Sequence, residues 1–381
     1  DGGTLTVAEV NGAPASVGAP VAGSGGGLFT VNADGTVSFD PNGEFEGLAV
    51  GESATTTVTY TISDGQGGTD TATITVTVTG VNDAPEVVTG SEVPDQSGND
   101  GEAIVPVDVT GAFTDVDGDD LSYSAAGLPP GLSIDPVTGV ISGTPTSDAS
   151  QGGPTANGIY SVTVTATDPS GASVDQVFTF TIGNPAPDAT DDVFTVGEDD
   201  ALASLGNVIT GDTGAGADSD PDGDVLTVSA VNGAPASVGA PVAGSGGGLF
   251  TVNADGTVSF DPNGEFEGLA VGESATTTVT YTISDGQGGT DTATITVTVT
   301  GVNDAPEVVT GSEVPDQSGN DGEAIVPVDV TGAFTDVDGD DLSYSAAGLP
   351  PGLSIDPVTG VISGTPTSDA SQGGPTANGI Y

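Results

Sequence analysis

The sequence predicts an all-β chain, a tandem array of antiparallel β-sandwich domains. Three observations predict it. Hydrophobic residues make up 35% of the chain, and they alternate with threonine and serine rather than scattering. A period of two belongs to strands with one buried face. Val10–Tyr160 recurs unchanged as Val231–Tyr381, an offset of 221 residues. That period is too long for one solenoid unit and suits two sandwich domains of roughly 100 residues each. Finally, no window holds a 3.6-residue period free of glycine and proline, so no helix is predicted.

Along the chain, Leu5 and Val7 alternate in a short strand, and the Gly-, Ala- and Pro-rich stretch 12–27 reads as a loop. Leu28–Val31 and Val37–Phe39 flank the turn Asn32-Ala33-Asp34-Gly35, a hairpin signal. Glu44, Glu46 and Glu52 follow in a long connection and are candidates to reach a domain junction. Val58, Tyr60 and Ile62 alternate with threonines up to a turn at 64–68, and Ala72, Ile74, Val76 and Val78 alternate on the return. Threonine suits the exposed face because it is β-branched. Val81-Asn82-Asp83-Ala84-Pro85 ends that domain and opens the next.

The second domain type runs through Ile104, Val107 and Val109 to an acidic loop, then Leu121 and Tyr123. Gly139–Gly143, Val162–Ala166 and Phe178–Ile182 supply later strands, and 183–187 is a Pro-rich linker. The predicted domains are 1–81, 82–185, 186–302 and 303–381, the first and third of one type and the second and fourth of another. Equivalents of Ser161–Ile182 do not follow Tyr381. A sandwich without them exposes core and an unpaired edge, so the natural chain is expected to continue beyond both ends.

All charged side chains are acidic. The 381 residues carry a formal charge of -55, with no Lys, Arg or His. Nucleic acid and anionic membranes are therefore excluded as partners, since both are bound through positive charge. Cysteine is absent, which excludes disulfides, thiolate chemistry and sulfur-ligated metals. No signal peptide, membrane span or lipidation motif is visible in the sequence, and no membrane insertion of this segment is expected. Without histidine, acid–base and nucleophilic catalysis lose their usual base, so no enzyme is predicted.

The chemistry lies in the acidic loops. Asp115, Asp117, Asp119 and Asp120 fall within six residues, and Asp336, Asp338, Asp340 and Asp341 repeat them. Asp218, Asp220, Asp222 and Asp224 form a third run. Two such charges at ~4 Å repel by about 4 kcal/mol at an effective dielectric of ~20. Folding them together needs a bound cation or full exposure to water. In an Ig-type sandwich the B–C and F–G loops share one pole. That topology gathers Asp115–Asp119, Asp168 and the linker pair Asn82 and Asp83 where the preceding domain attaches. By the same logic Asp218–Asp224, Asp285 and the linker residues Asn184 and Asp188 meet in the third domain. Asn303 and Asp304 meet Asp336, Asp338 and Asp340 in the fourth. Glu102 and its repeat Glu323 complete the candidate set. Hard oxygen ligands with no His or Cys favour Ca²⁺ over zinc or copper, and flexible coordination favours it over Mg²⁺. Asp218–Gly223 matches half an EF-hand loop, but Ser229 stands at position twelve and a strand follows. The glycines at 23–27 have no following lysine or helix and are not a phosphate loop.

The first domain type resembles the bacterial cadherin-like or VCBS-type repeat of giant secreted RTX-type adhesins. The resemblance rests on Asp191-Asp192, Glu198-Asp199, the run Asp218 to Val228, Asn253-Ala254-Asp255-Gly256, Tyr281-x-Ile283-x-Asp285-Gly286 and Val302-Asn303-Asp304-Ala305-Pro306. The second type is similar to dystroglycan-type cadherin-like, or putative Ig, modules. Its marks are Phe113-Thr114-Asp115-Val116-Asp117-Gly118-Asp119, Leu128-Pro129-Pro130-Gly131-Leu132, Ser142-Gly143-Thr144-Pro145 and Ala166-Thr167-Asp168. The linker resembles the cadherin pattern Asp-x-Asn-Asp-x-x-Pro, with Thr79 or Gly80 near the first Asp position. The resemblance implies an Ig-like/cadherin-like fold, Ca²⁺ at the junctions and an extracellular setting on the bacterial surface or in a matrix.

The expected function is a calcium-rigidified stalk or extender in a large bacterial adhesin or biofilm matrix protein. Its expected partners are neighbouring repeats of the same chain, with identical chains as possible lateral partners. Two rivals stay open. One is a self-assembling extracellular filament, sheath or surface-layer protein. The other is a carbohydrate-binding accessory module, although Phe39, Tyr60, Tyr123, Phe178 and Phe180 read as core rather than as a sugar platform.

Overall fold

The computed structural model describes residues 3–211, 213, 215–374 and 379–381. Two compact units divide the chain, Asp1–Pro185 and Ala186–Tyr381. Among the described residues the regular structure is β-strand with six short 3-10 turns and no α-helix.

The second unit contains the fullest sandwich. One sheet runs, neighbour to neighbour, through Asp192–Gly197, Thr290–Thr300, Ser274–Ser284 and Thr227–Val231. The facing sheet runs through Ala203–Asn207, Thr257–Asp261, Leu249–Val252 and Val242–Ala243. The long hairpin pairs Val279 with Ile295 and Thr280 with Thr294, so alternate residues face one side. Val279, Tyr281, Ile283, Ile295, Val297 and Val299 point inward and pack against Phe250, Phe260 and Val258. The threonines between them face out, as the alternation predicts.

Two local features depart from the sequence reading. Asp192–Gly197 lies parallel, not antiparallel, to its neighbour. The glycine-rich stretch is also more ordered than a bare loop. Pro14–Ser16 forms a 3-10 turn and Pro20–Ala22 pairs with Leu28–Thr30. Its glycines allow close approach: a Cβ at Gly25 would lie 2.4 Å from the carbonyl oxygen of Thr55.

In the first unit, residues 86–183 form a second sandwich. Its larger sheet orders Ser122–Ala126, Ile159–Thr167, Ser173–Gly183 and Gln96–Asn99. Leu132–Ile134, Val140–Gly143 and Val107–Asp108 form the opposing sheet. Val162, Val164, Ala166, Phe178, Phe180 and Ile182 fill the space between with Tyr123 and Ile141. At the entry to this sandwich, Glu86–Val87 pairs with Phe113–Thr114. That pairing draws the linker Asn82-Asp83 beside the acidic loop that follows Thr114.

Candidate metal centre

Each acidic loop folds around its first aspartate. In the first unit Asp115 Oδ1 accepts the amides of Asp117 at 2.9 Å and Asp119 at 3.4 Å. The turn needs a left-handed residue, supplied by Gly118 at φ 75°. One carboxylate oxygen thus serves the backbone. The other, Asp115 Oδ2, is buried with no hydrogen-bond partner, as is Asp117 Oδ1. Asp117 Oδ2 accepts the amide of Asp83 at 2.8 Å, which ties linker to loop. Asp115, Asp117 and Asp119 each present an oxygen within 4.8 Å of the others. Asp336, Asp338 and Asp340 repeat this group, and Asp304 donates its amide to Asp338 at 2.8 Å. Asp220, Asp222 and Asp224 form a third group, with Asp220 Oδ1 accepting the amides of residues 222, 223 and 224.

The second unit shows the fullest set. Glu198 lies at the end of strand Asp192–Gly197, and its amide donates to Thr300 O. Its side chain is only 2% exposed. Val302 N donates to Glu198 Oε1 at 2.6 Å, whereas Glu198 Oε2 is buried with no partner. Glu198, Asp304 and Asp338 bring oxygens within 4.8 Å of one another, and so do Asp199, Glu267 and Asp304. Residues of one sandwich, its linker and the next loop therefore meet at one place. Gly301 allows the approach, since a Cβ there would sit 2.0 Å from Leu269 O, next to the segment that carries Glu267.

These carboxylates repel. Partial desolvation, then the charges of Asp338, Asp199 and Glu198, pushes Asp304 above the usual carboxylate range. Desolvation and the charges of Asp304, Asp199 and Glu198 push Glu267 up. Asp119 is raised by desolvation and by Asp115 and Asp117. Such a donor set fits a hard divalent cation. Oxygens bound to one Ca²⁺ at about 2.4 Å lie no more than about 4.8 Å apart. The orphaned Glu198 oxygen is what a buried ligand needs to have free.

The other candidates divide. Asn82 Nδ2 donates to Asp168 Oδ2 at 2.8 Å and lowers its pKa, while Asn82 Oδ1 is buried without a partner. Both therefore stand at the first acidic loop. Asp285 accepts the amides of Gln287, Gly288 and Gly289, and Gln287 Nε2 donates to Asp224. Asn303 donates to Asp304 O at 2.7 Å. Asp188 reaches the Asp218–Asp224 loop only through its backbone, paired with Ser219, and its side chain is exposed.

Three expected ligands are elsewhere. Asp218 turns into the sandwich, where its oxygens meet Tyr281 OH at 3.2 and 3.1 Å and accept the Thr190 amide at 2.8 Å. Glu102 and Glu323 are exposed, each accepting only from a nearby asparagine, Asn99 or Asn320. Glu102 sits by the end of strand Ser173–Gly183, since the preceding Asp100 amide donates to Gly183 O, far along the sandwich from Asp115. Glu44 is held within its own module, its carboxylate accepting from Gly27 N in the glycine-rich stretch and from Asn42 Nδ2.

Glu198, Asp199 and Glu267, which the structure adds to the acidic clusters, were missed by the loop pattern. Glu198-Asp199-Asp200 is a short acidic run at a strand end without the alternating Asp-x-Asp spacing of the loops, and Glu267 lies in the irregular 262–273 connection. The signal that was present is Glu46, the repeat of Glu267, in the long connection already singled out.

Two family profiles match the chain. That of the bacterial cadherin-like domain matches residues 1–80 and 184–301. The chain belongs to the bacterial cadherin-like domain family. Between and after these cadherin-like segments, the profile of a putative Ig domain matches residues 86–183 and 307–373, so the two types alternate. A search of curated proteins returns no match. Among solved structures, this cadherin-like chain is similar to Drosophila N-cadherin EC1-4, with 16% identity over 74% of this chain and a TM-score of 0.28. It spans 65% of the length of that structure's chain. Mouse cadherin-23 EC22-24 is 18% identical, covers 78% of this chain and 86% of its own, and has a TM-score of 0.34.

Proposed function

We propose that this chain is a calcium-stiffened extender segment of a large bacterial cell-surface adhesin or matrix protein. The observation that carries the reading is the meeting of Glu198, Asp304 and Asp338 within 4.8 Å, with a buried, partnerless oxygen on Glu198. Tandem cadherin-like and Ig-like modules are of the extracellular adhesion type, which supports a structural rather than an enzymatic role. Bound Ca²⁺ supplies positive charge that no side chain of this protein offers. Glu198 joins from the end of a strand, Asp304 from the linker and Asp338 from the next module's loop. Held together, they fix the angle of the linker between them. Pushed apart by their own charge, they let it swing. A weak affinity, about 10⁻⁴–10⁻³ M, suits an extracellular module.

Small-angle scattering of the full chain tests this. With Ca²⁺ the maximum dimension should be larger and better defined than after chelation. An unchanged maximum dimension sinks the stiffening role. Sedimentation with added Ca²⁺ should leave the chain monomeric; assembly would instead favour a lateral filament or sheath.

A further inference from the structure

Asn-Gly pairs begin at residues 11, 42, 157, 232, 263 and 378; the last lies outside the described residues. At such a pair the glycine amide can attack the preceding side-chain amide, because no Cβ on the glycine hinders the approach. In a folded chain the attack requires a glycine N–H without a hydrogen bond and an asparagine side chain free to turn. The structure sorts the pairs by those two conditions. At Asn157 the first fails: Gly158 is buried and its amide donates to Gly152 O at 3.0 Å. At Asn11 and Asn232 the second fails. Asn11 Oδ1 accepts Thr59 N at 3.1 Å and Asn232 Oδ1 accepts Thr280 N at 3.0 Å, each tying its turn to a long strand. Asn42 and Asn263 meet both conditions. They form two-residue turns with Gly43 and Gly264, all four residues at φ between 56° and 68°, the left-handed pair that Asn-Gly favours. All four are exposed. Neither glycine amide has a hydrogen bond among the described residues. Each asparagine side chain donates only within its own turn, at 3.2 Å, to Glu44 Oε1 or Glu265 Oε1.

We propose that Asn42 and Asn263 are sites of spontaneous covalent modification, each converting to aspartate and isoaspartate without an enzyme. The Gly43 nitrogen attacks Cγ of Asn42 and closes a succinimide ring. The Cγ–Nδ2 bond breaks, and ammonia leaves with the amide proton. Water then opens the ring. Opening at Cγ gives aspartate; opening at the main-chain carbonyl gives isoaspartate and lengthens the backbone by one methylene. Gly264 acts on Asn263 in the same way. Either product removes the Nδ2 donor and adds a carboxylate beside Glu44 or Glu265. Those glutamates also accept Gly27 N at 3.3 Å and Gly248 N at 3.2 Å, which holds the glycine-rich stretch onto the turn. Repulsion between the new carboxylate and the glutamate therefore loosens that hold. The modification is independent of any cation.

The test ages the full chain at mildly alkaline pH and maps its peptides by mass spectrometry after cleavage at acidic residues. Asn42 and Asn263 lie in identical peptides and are read together. They should convert about ten-fold or more faster than Asn11, Asn157 and Asn232, whose reaction waits on local opening. In concentrated urea those hydrogen bonds are lost and the rates should converge. Native conversion at 42 and 263 that is absent, or no faster than at the other three, overturns the proposal. So does a rate difference that persists in urea, since sequence rather than fold would then set it. Hydrogen exchange gives a second measurement. The Gly27 and Gly248 amides should exchange faster in the aged chain, and in a chain carrying Asn42→Asp and Asn263→Asp, than in fresh protein. Unchanged exchange overturns the loosening.

Discussion

Glu198 shows what one carboxylate does at a junction. One oxygen holds the Val302 amide and the other has no partner. Glu198→Gln keeps the shape and removes the charge. Ca²⁺ affinity at that junction should fall about ten-fold or more, read by calorimetric titration, because ligand charge sets affinity in such sites. Asp192 poses the opposite problem. It is fully buried, accepts from Thr213 Oγ1 and Tyr281 OH, and faces Asp218 across that hydroxyl. Desolvation pushes its carboxyl up despite those hydrogen bonds, with the charges of Asp218 and Asp191 adding to the rise. A raised folded pKa contributes stability that is present below the unfolded carboxylate value and lost as pH rises through the folded one. Asp192→Asn should therefore stabilise this sandwich at neutral pH and lose that advantage in acid. The gain is ~1.4 kcal/mol for each unit by which the folded value exceeds the unfolded one. Denaturant melts at several pH values check this, and an advantage that grows in acid contradicts it.

Strands and turns were largely legible in the sequence, because alternation and Asn/Asp-Gly turns are local. Ser53–Ser63 and Thr69–Thr79 pair as Val58 and Ile74 predict. Contacts across the fold were not legible. Nothing local marks Asp218 as an inward residue, since its neighbours Asp220 and Asp222 face the loop; Tyr281, far along the chain, draws it in. The same holds for Glu198 and Glu267, which join the site only after a parallel strand and an irregular connection have been placed. Thr277 continues the inward row of Val279 and Tyr281 and is fully buried, its hydroxyl accepting Gly246 N at 3.1 Å and donating to Gly247 O at 2.8 Å. Thr277→Val should cost about 2 kcal/mol by stranding both groups. Thr296→Val on the outer face should stay within about 0.5 kcal/mol. Equal effects in thermal melts would remove the distinction. Gly301→Val should loosen the linker, because its Cβ would collide with Leu269 O. Faster proteolysis at 301–306 with both sandwiches still folded is the expected readout.

At the scale of the whole molecule, charge decides. With -55 formal charges and no cationic side chain, the chain has no internal means of neutralising its junctions, and salt screens exposed repulsion within about 10 Å at 0.1 M. On the proposed function, monovalent salt should therefore soften repulsion without ordering the linkers, whereas Ca²⁺ should do both. Scattering curves in sodium chloride alone that match those in Ca²⁺ would remove the need for a specific site. The 221-residue offset carries a further consequence. It spans one module of each type, and the loops flanking each linker recur with it. Recombination between copies would insert or delete whole periods while every seam kept the same chemistry. Reach could thus be tuned in a lineage by copy number alone, with no contact surface needing to be rebuilt.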